Sequence, residues 1–255
     1  MRKLFSMQNI SPTVVLLSIV SLLNDVSSEM LIPVMPVYLQ SIGFSVVWIG
    51  LLEGIAEATA GLSKIYFGRF SDTMQTRMPF VRIGYLLSSF AKPVTGLFSN
   101  VAIIFSARTA DRLGKGIRTG ARDAMLSDEA TPQTKGTEFG FHRAMDTTGA
   151  AIGPLFALLF LYFNPGNYKW LFILAFVPSV FSVLFTFLVK EKKQPFQQKI
   201  KQPFFKTFLF PKNSSTEFKQ WLIALLLFAF INSSDIFLLL KAKLILKNDV
   251  LVMGM

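Results

Sequence analysis

The sequence predicts an all-α integral membrane protein, and two properties of its 255 residues support that fold class. Hydrophobic residues make up 52% and charged residues 16%, whereas a soluble domain carries about 25% charged residues. Apolar runs near the length of about 20 residues that crosses a bilayer as a helix recur along the chain. We therefore expect a bundle of transmembrane helices.

The composition also limits which sites and partners are possible. The chain has no cysteine and one histidine, which excludes a disulfide framework, a thiolate metal site and a multi-histidine metal centre. We expect no metal and no cofactor. The net charge of +11 would suggest nucleic acid in a soluble protein. In a membrane protein it indicates cytoplasmic loops rich in lysine and arginine, so we expect contact with membrane lipids and none with nucleic acid.

The first predicted span, residues 13–38, contains two carboxylates, Asp25 and Glu29, whose spacing places them on one helical face. No cation shares their helix. Pro33 and Pro36 follow and should kink or end the helix, because proline lacks the amide hydrogen that a helix interior needs.

The second predicted span, residues 48–68, repeats this spacing with Glu53 and Glu57, and Lys64 lies on the same face. Two of its glycines leave room for close helix packing: Gly54 and Gly61.

A polar turn at residues 68–77 leads to the third span, residues 78–98, in which Lys92 lies at membrane depth just before Pro93. The fourth span begins near residue 101 and enters the most unusual stretch of the chain. Residues 107–125 carry seven charged side chains where lipid would forbid them.

The cations of that stretch stack on one helical face: Arg108, Arg112, Lys115 and Arg122. Asp111 lies beside this stripe. Ionisable groups at membrane depth are costly unless they face a protein interior or a wet cavity. The stripe therefore requires a surrounding bundle.

The remaining spans are predicted at residues 141–163, 168–189 and 221–240. His142 and Arg143 are expected to cap the start of the fifth span beside Asp146 rather than to shuttle protons. The basic stretch 190–219 is a cytoplasmic linker, and the final segment, 241–255, is too short and too charged for a further span. Lysine and arginine concentrate on one side of the predicted spans, which predicts that this side and the N-terminus are cytoplasmic. We expect the protein to be integral to the plasma (bacterial inner) membrane.

Three motifs in these spans resemble the major facilitator superfamily (MFS) of secondary transporters. The turn after the second span is similar to the family's cytoplasmic loop motif, at Gly68, Asp72 and Arg77. The fourth span resembles the arginine motif that the family links to proton coupling or substrate binding, at Arg112-Leu-Gly-Lys115-Gly116. The fifth span resembles the glycine–proline motif of the family's antiporters, at Gly149, Gly153 and Pro154.

The resemblance implies a fold of two six-helix halves joined by a long cytoplasmic loop. This chain would supply an MFS-type six-helix bundle plus a seventh transmembrane helix. The bundle covers residues 1–189, the basic linker 190–219, and the first helix of an incomplete C-terminal bundle 220–255. Either the chain is truncated, or a second chain or copy completes the bundle.

The charged stripe on the fourth span admits two interpretations. It is either a cavity wall that meets an anionic or zwitterionic substrate, or a buried network that fixes helix packing with neighbouring carboxylates. In the second case those carboxylates are Asp111, Glu53 and Glu57. Arg118 and Arg122 are expected at the cytoplasmic end of this span, where Asp72 and Arg77 form a charge latch with it.

The four carboxylates of the first two spans are also open to two interpretations. Burial favours the neutral form of a carboxyl group, so one of them could carry a coupled proton. Alternatively, they are permanently paired with Lys64, Lys92 or Arg112. Asp25 and Glu29 are the stronger proton candidates, because no cation shares their helix.

We expect a secondary transporter of a small-molecule substrate, proton-coupled and working as an exporter, with spans one, two, four and five lining the path. The alternative is a non-transporting membrane subunit or an inactive remnant of a transporter. An enzyme is not expected, because carboxylates are the only candidate catalytic groups. The predicted pathway residues are Asp25, Glu29, Glu53, Glu57, Arg108, Asp111, Arg112, Lys115, Arg143 and Asp146.

Overall fold

The computed structural model describes residues 10–192, 214–232 and 235–246, and all regular secondary structure in those ranges is helical. The helices are α1 Pro12–Glu29, α2 Met35–Ser41, α3 Val46–Met74, α4 Met78–Leu97, α5 Val101–Glu129, α6 Lys135–Phe163, α7 Tyr168–Thr186, α8 Thr216–Ile231 and α9 Asp235–Leu246. Most of the predicted linker, residues 193–213, and the last part of the final predicted segment, residues 247–255, lie outside the described residues.

The first predicted span is two helices separated by a break. α1 ends at Glu29, and α2 begins at Met35 with a proline in its first turn. Pro33 lies in the break, where its missing amide hydrogen does no harm, and Pro36 takes a position that favours a helix start. The sequence therefore placed this interruption correctly.

Three helices extend further than their apolar stretches predicted. α3 continues to Met74, so most of the expected polar turn at residues 68–77 is helical and only residues 75–77 connect it to α4. α5 likewise continues to Glu129, and α6 begins at Lys135, before the first apolar residue of its span. Hydrophobicity marks the part of a helix that lipid covers and not the end of its hydrogen bonding, so the prediction was too short in each case.

The seventh span is interrupted as the first one is. α8 ends at Ile231 and α9 begins at Asp235, and residues 233–234 between them lie outside the described part of the chain. α9 continues to Leu246, into the segment that was not expected to form part of a span. Within the described residues, three helices, α3, α6 and α7, are by themselves long and apolar enough to cross a membrane.

Six of these helices pack as two groups of three. α5 lies between α3 and α4, and α1 lies between α6 and α7 in the same way. The contact of α4 with α7 joins the groups, whereas α1 and α5 touch only slightly. A cavity fills the space between α1 and α5, so the charged faces of these two helices are opposed across it.

Two apolar cores close the two ends of this bundle. One is built around Tyr38 and Phe172, and the other around Leu17 and Tyr85. The buried charged side chains of α4 and α5 line the cavity between α1 and α5: Lys92, Arg108, Arg112 and Arg118.

Candidate functional site

An ion pair with two hydrogen bonds joins α5 to α3 at the wall of the cavity. Arg108 Nε donates to Glu53 Oε1 at 2.8 Å, and Arg108 Nη2 donates to Glu53 Oε2 at 3.0 Å. Both side chains are buried, with relative exposures of 7% for each residue. Arg108 Nη1 also lies 3.4 Å from Asp111 Oδ2. This arrangement satisfies the planar guanidinium on two sides and holds α3 and α5 in register.

The next turn repeats the arrangement with weaker geometry. Arg112 Nη2 lies 3.2 Å from Glu57 Oε1 and 3.9 Å from Glu53 Oε2. Arg112 is buried, whereas the Glu57 side chain is 59% exposed. The two carboxylates of α3 are thus paired with the arginines of α5, as the packing interpretation predicted. Lys64 instead lies 3.9 Å from Asp123 Oδ2 on α5.

The carboxylates of α1 are in a different situation. Asp25 and Glu29 are half-buried, and neither has a cationic nitrogen within ion-pair distance among the described residues. Both line a cavity of about 30 Å³, which is room for roughly one or two waters. Across it lie Arg112 and Lys115 of α5. Two carboxylates of α1 that lack an ion-pair partner among the described residues therefore face cationic side chains of α5 across the cavity.

The cavity also takes side chains from α4 and α7, which were not predicted to line the path. Lys92 of α4 is 4% exposed, and its Nζ lies 3.1 Å from Ser179 Oγ of α7. Phe172 of α7 closes the side of the same cavity. The prediction overlooked α7 because that helix carries no charged residue after Lys169, and charge was the signal used.

Arg118 was expected at the cytoplasmic end of its span, and that prediction was wrong. Its side chain is buried and lines the cavity, with Nη1 2.6 Å from Ser88 Oγ and the guanidinium 4.6 Å from the centre of the Tyr85 ring. Burial is possible because the ring face and the hydroxyl replace water around the cation. Arg122, one turn on, donates to Ser21 Oγ of α1 at 2.7 Å and pairs with Asp123 at 3.0 Å.

Arg108 and Arg112 form an arginine wall between this cavity and a second, larger one of about 410 Å³. Glu53, Glu57, Arg108 and Arg112 form one side of it. The opposite side is formed where α8 ends and α9 begins, by Asn232, Ile236 and Phe237. The arginines are thus reached from two cavities, one bounded by α1 and the other by the α8–α9 break.

Residues Arg143 and Asp146 were predicted to line the pathway from α6, but the structure separates them. Arg143 is exposed, whereas Asp146 is buried against His142 at 3.5 Å. Neither borders the two cavities described above. The idea that His142 and Arg143 cap the start of a helix was wrong, since α6 begins at Lys135 and both lie well inside it.

The glycines of the fifth-span motif allow α6 to approach α1 closely. A Cβ at Gly149 would lie 2.7 Å from the carbonyl oxygen of Leu22, and one at Gly153 would lie 2.7 Å from that of Val26. Any larger residue would therefore push α1 away. Pro154 follows within the same helix. The contact fixes the position of Asp25, whose Cβ lies 3.0 Å from the site of a Gly149 Cβ.

The glycines predicted for close packing on α3 were the wrong ones. Gly54 and Gly61 have open space beside them for at least 4 Å within the described part of the chain. Helix contact is made instead by Gly68, whose Cα would lie 2.9 Å from a Cβ at Gly120 of α5. Gly68, the first residue of the loop motif, thus serves as a packing residue at the α3–α5 contact.

The other residues of the loop motif form a charge cluster at the same end of the bundle. Arg77 Nη2 lies 3.2 Å from Asp72 Oδ1, and Nη1 contacts Asp128 near the end of α5. Glu191 accepts hydrogen bonds from the backbone amides of Arg77 at 2.6 Å and Met78 at 3.0 Å. The predicted contacts between this turn and the fourth span are therefore present, and Glu191 adds a partner from beyond α7.

Comparison with known proteins places this arrangement in one family. The sequence matches the Major Facilitator Superfamily over residues 17–254. It is 36% identical over 238 residues to an uncharacterized MFS-type transporter of Methanocaldococcus jannaschii, covering 92% of this chain and 58% of that protein. It is also 24% identical over 128 residues to the quinolone resistance protein NorA of Staphylococcus aureus, covering 49% of this chain and 32% of NorA.

Solved structures agree on the fold. A bacterial homolog of the human lysosomal transporter Spinster, in an inward-facing and occupied conformation, superposes with a TM-score of 0.61 at 16% identity. The superposition covers 71% of this chain and 44% of that one. Because the identity is low, this likeness concerns the fold alone. The chain spans 58% of the length of its Methanocaldococcus relative. The chain belongs to the Major Facilitator Superfamily.

Proposed function

We propose that this chain moves a small solute by secondary transport coupled to protons, with export as the direction. The observation that supports this proposal is the division of charge around the cavity between α1 and α5. Glu53 and Glu57 neutralise the arginines of the wall, whereas Asp25 and Glu29 have no cationic partner among the described residues. A purely structural network would pair its charges, because an unpaired buried charge is costly.

The unpaired carboxylates suit a site that alternates between a proton and a solute. A half-buried carboxyl group can take up a proton when no cation holds it ionised. Proton binding at Asp25 and Glu29 would leave Asp111 as the one ionised carboxylate among the described residues that line this cavity, beside a larger number of lysines and arginines. An anionic or zwitterionic group of a solute would supply negative charge. The cavity charge would then depend on how many protons α1 carries.

The export direction is supported by the glycine–proline motif on α6 and by one relative. Gly149 and Gly153 hold α6 against the carboxylate helix α1. The quinolone resistance protein NorA is similar to part of this chain. A quinolone is therefore a sensible first probe. We further propose that Arg77 and its partners face the cytoplasm and that the N-terminus lies on the same side.

Inside-out membrane vesicles test this proposal directly. Cells producing the chain would yield vesicles that accumulate the quinolone when a proton gradient is imposed, and a protonophore would abolish the accumulation. Arg112→Ala should remove it while leaving the amount of inserted protein unchanged. Arg143→Gln is the control, because Arg143 is exposed and borders neither of the two cavities at the arginine wall.

The alternative is a membrane subunit or remnant that does not transport. The observation in its favour is the length of the match, since the chain spans 58% of its Methanocaldococcus relative. A second chain or copy would then have to complete the path. This alternative predicts that no probe accumulates in vesicles containing the chain alone, and that Arg112→Ala changes nothing.

A further inference from the structure

Buried titratable residues also collect on α6, away from the cavity. Glu138, His142 and Asp146 follow one another at four-residue spacing, and their relative exposures are 3%, 4% and 9%. One polar atom of each has no hydrogen-bond partner among the described residues: Glu138 Oε2, His142 Nε2 and Asp146 Oδ1. Buried polar atoms nearly always have partners, so this row of exceptions requires an explanation.

The hydrogen bonds of Ser18 on α1 favour one tautomer of the His142 imidazole. Ser18 Oγ donates its single hydrogen to the carbonyl oxygen of Val14 at 2.7 Å. Ser18 Oγ also lies 3.2 Å from His142 Nδ1. Because the hydroxyl hydrogen is engaged in this bond, the geometry favours Nδ1 as the donor to the serine oxygen. A neutral His142 therefore carries its hydrogen on Nδ1 and has a lone pair on Nε2.

That lone pair faces a carboxylate. His142 Nε2 lies 3.5 Å from Asp146 Oδ2. Two acceptors opposed in this way repel each other unless one of them holds a proton. Either Nε2 is protonated and pairs with an ionised Asp146, or Asp146 is protonated and donates to Nε2. In both forms the pair contains one proton more than neutral imidazole plus carboxylate.

We propose that His142 and Asp146 form a buried proton-binding site at the contact of α1 and α6, and that its occupancy is coupled to the charge on Asp25. Proton uptake forms an N–H bond at Nε2 with the lone pair of that atom and breaks an O–H bond of the donor, which is hydronium or the protonated Asp25 carboxyl group. Release breaks this bond, returns the electron pair to Nε2, and sends the proton to water or to the Asp25 carboxylate. The coupling to Asp25 rests on the proposed transport function, whereas the proton-binding site does not.

The charged and titratable groups around the pair come from α1, α5 and α6. Asp25 of α1 interacts electrostatically with Asp146, and its Cβ lies 3.0 Å from the site of a Gly149 Cβ, one turn beyond Asp146. α5 contributes Arg122 and Asp123, and α6 itself contributes Arg143 and Glu138. α7 carries titratable side chains only at its first two positions, Tyr168 and Lys169.

The test uses the fact that His142 is the chain's single histidine. The full chain would be produced with ¹⁵N-labelled histidine, reconstituted in lipid, and observed by solid-state NMR over a range of pH. We expect Nδ1 to carry hydrogen at every pH, and the Nε2 signal to change from protonated to unprotonated as the pH rises. An imidazole with hydrogen on Nε2 and a lone pair on Nδ1, or an Nε2 signal that never changes, would overturn the proposal.

Variants separate the site from its surroundings. Asp146→Asn should move the Nε2 change to lower pH by about one unit or more, because the opposing negative charge is lost and the amide can donate to Nε2. Ser18→Ala should allow the other neutral tautomer, since Nδ1 loses its acceptor. Glu217→Gln is the control, because Glu217 is exposed on α8. This substitution removes one negative charge, as Asp146→Asn does, but far from α6 in the sequence.

Asp25→Asn tests the coupling. A lost negative charge nearby disfavours the protonated pair, so the Nε2 change should again move to lower pH, by less than in Asp146→Asn. No shift in Asp25→Asn would overturn the coupling and leave the proton-binding site. These spectra need no solute, so an absence of quinolone transport with a normal Nε2 change would remove the proposed function alone.

Discussion

Arg108 and Glu53 form a buried ion pair with two hydrogen bonds that joins α5 to α3, at 2.8 and 3.0 Å. Each partner is 7% exposed, so both charges have given up most of their hydration. Pairs of this kind stabilise a fold weakly as a unit, but leaving one partner alone is costly. We therefore expect Arg108 to stabilise the contact of α3 with α5, and the other cations that line the cavity to interact with a solute.

Removing only one partner should destabilise the protein strongly. Arg108→Ala leaves Glu53 buried with only the longer contact to Arg112, and we expect a loss of about 3–5 kcal/mol in the free energy of unfolding. Thermal unfolding of the purified chain in detergent would measure it. Replacing both, as Arg108→Met with Glu53→Leu, should restore most of the stability. Equal losses in the single and double variants would contradict this account.

The close contact of α6 with α1 predicts a difference between two glycines of the same helix. Gly149→Ala places a Cβ 2.7 Å from the carbonyl oxygen of Leu22, so α1 must shift, at a cost of about 1–3 kcal/mol. Gly140→Ala is the matched control, because nothing lies within 4 Å of its Cβ site among the described residues. It should be neutral or slightly stabilising, since alanine favours a helix. Melting temperatures of the two variants would show whether they differ.

The Arg77 cluster should depend on the shape of the guanidinium and not only on its charge. Its two terminal nitrogens contact different carboxylates, Asp72 and Asp128. A lysine has one ammonium group and cannot hold both in the same way. We expect Arg77→Lys and Arg77→Ala each to lose about 1–3 kcal/mol of stability, measured by thermal unfolding. Full rescue by lysine would show that only the charge matters.

Lys92 should matter for transport more than for folding. Its Nζ contacts Ser179 Oγ at 3.1 Å, and that hydroxyl also has Ser89 as a partner at 2.6 Å. Lys92→Met keeps an unbranched side chain one atom shorter and leaves Ser179 hydrogen-bonded to Ser89, so the free energy of unfolding should change by less than about 1.5 kcal/mol. Quinolone accumulation in vesicles should be lost. A large fall in melting temperature with transport intact would assign Lys92 a packing role.

Much of the fold could be predicted from the sequence because lipid imposes a simple rule on side chains. Apolar length located the starts of α4 and α7, and the missing amide of Pro33 located the break after α1. The opposed charges of α3 and α5 were also predicted, since a charged stripe at membrane depth needs partners. These features depend on one helix at a time or on charge alone.

The remaining features depend on which faces meet, and hydrophobicity carries little information about that. Gly54 and Gly61 resemble packing glycines, yet nothing lies within 4 Å of their Cβ sites among the described residues, whereas Gly68 on nearly the same face meets Gly120 of α5. Lys64 shares a face with Glu57 but pairs with Asp123 of α5. The contribution of α7 to the cavity could not be predicted, because Phe172 and Ser179 resemble ordinary residues of an apolar helix.

The two carboxylates of α1 are proposed to carry the coupled proton, and a double variant removes both of them at once. Asp25→Asn combined with Glu29→Gln keeps the shape of the cavity but removes both proton carriers. Quinolone accumulation driven by a pH gradient should fall to the level of empty vesicles, whereas exchange of labelled for unlabelled quinolone at equal pH should persist. Accumulation at the wild-type level in this double variant would contradict the claim.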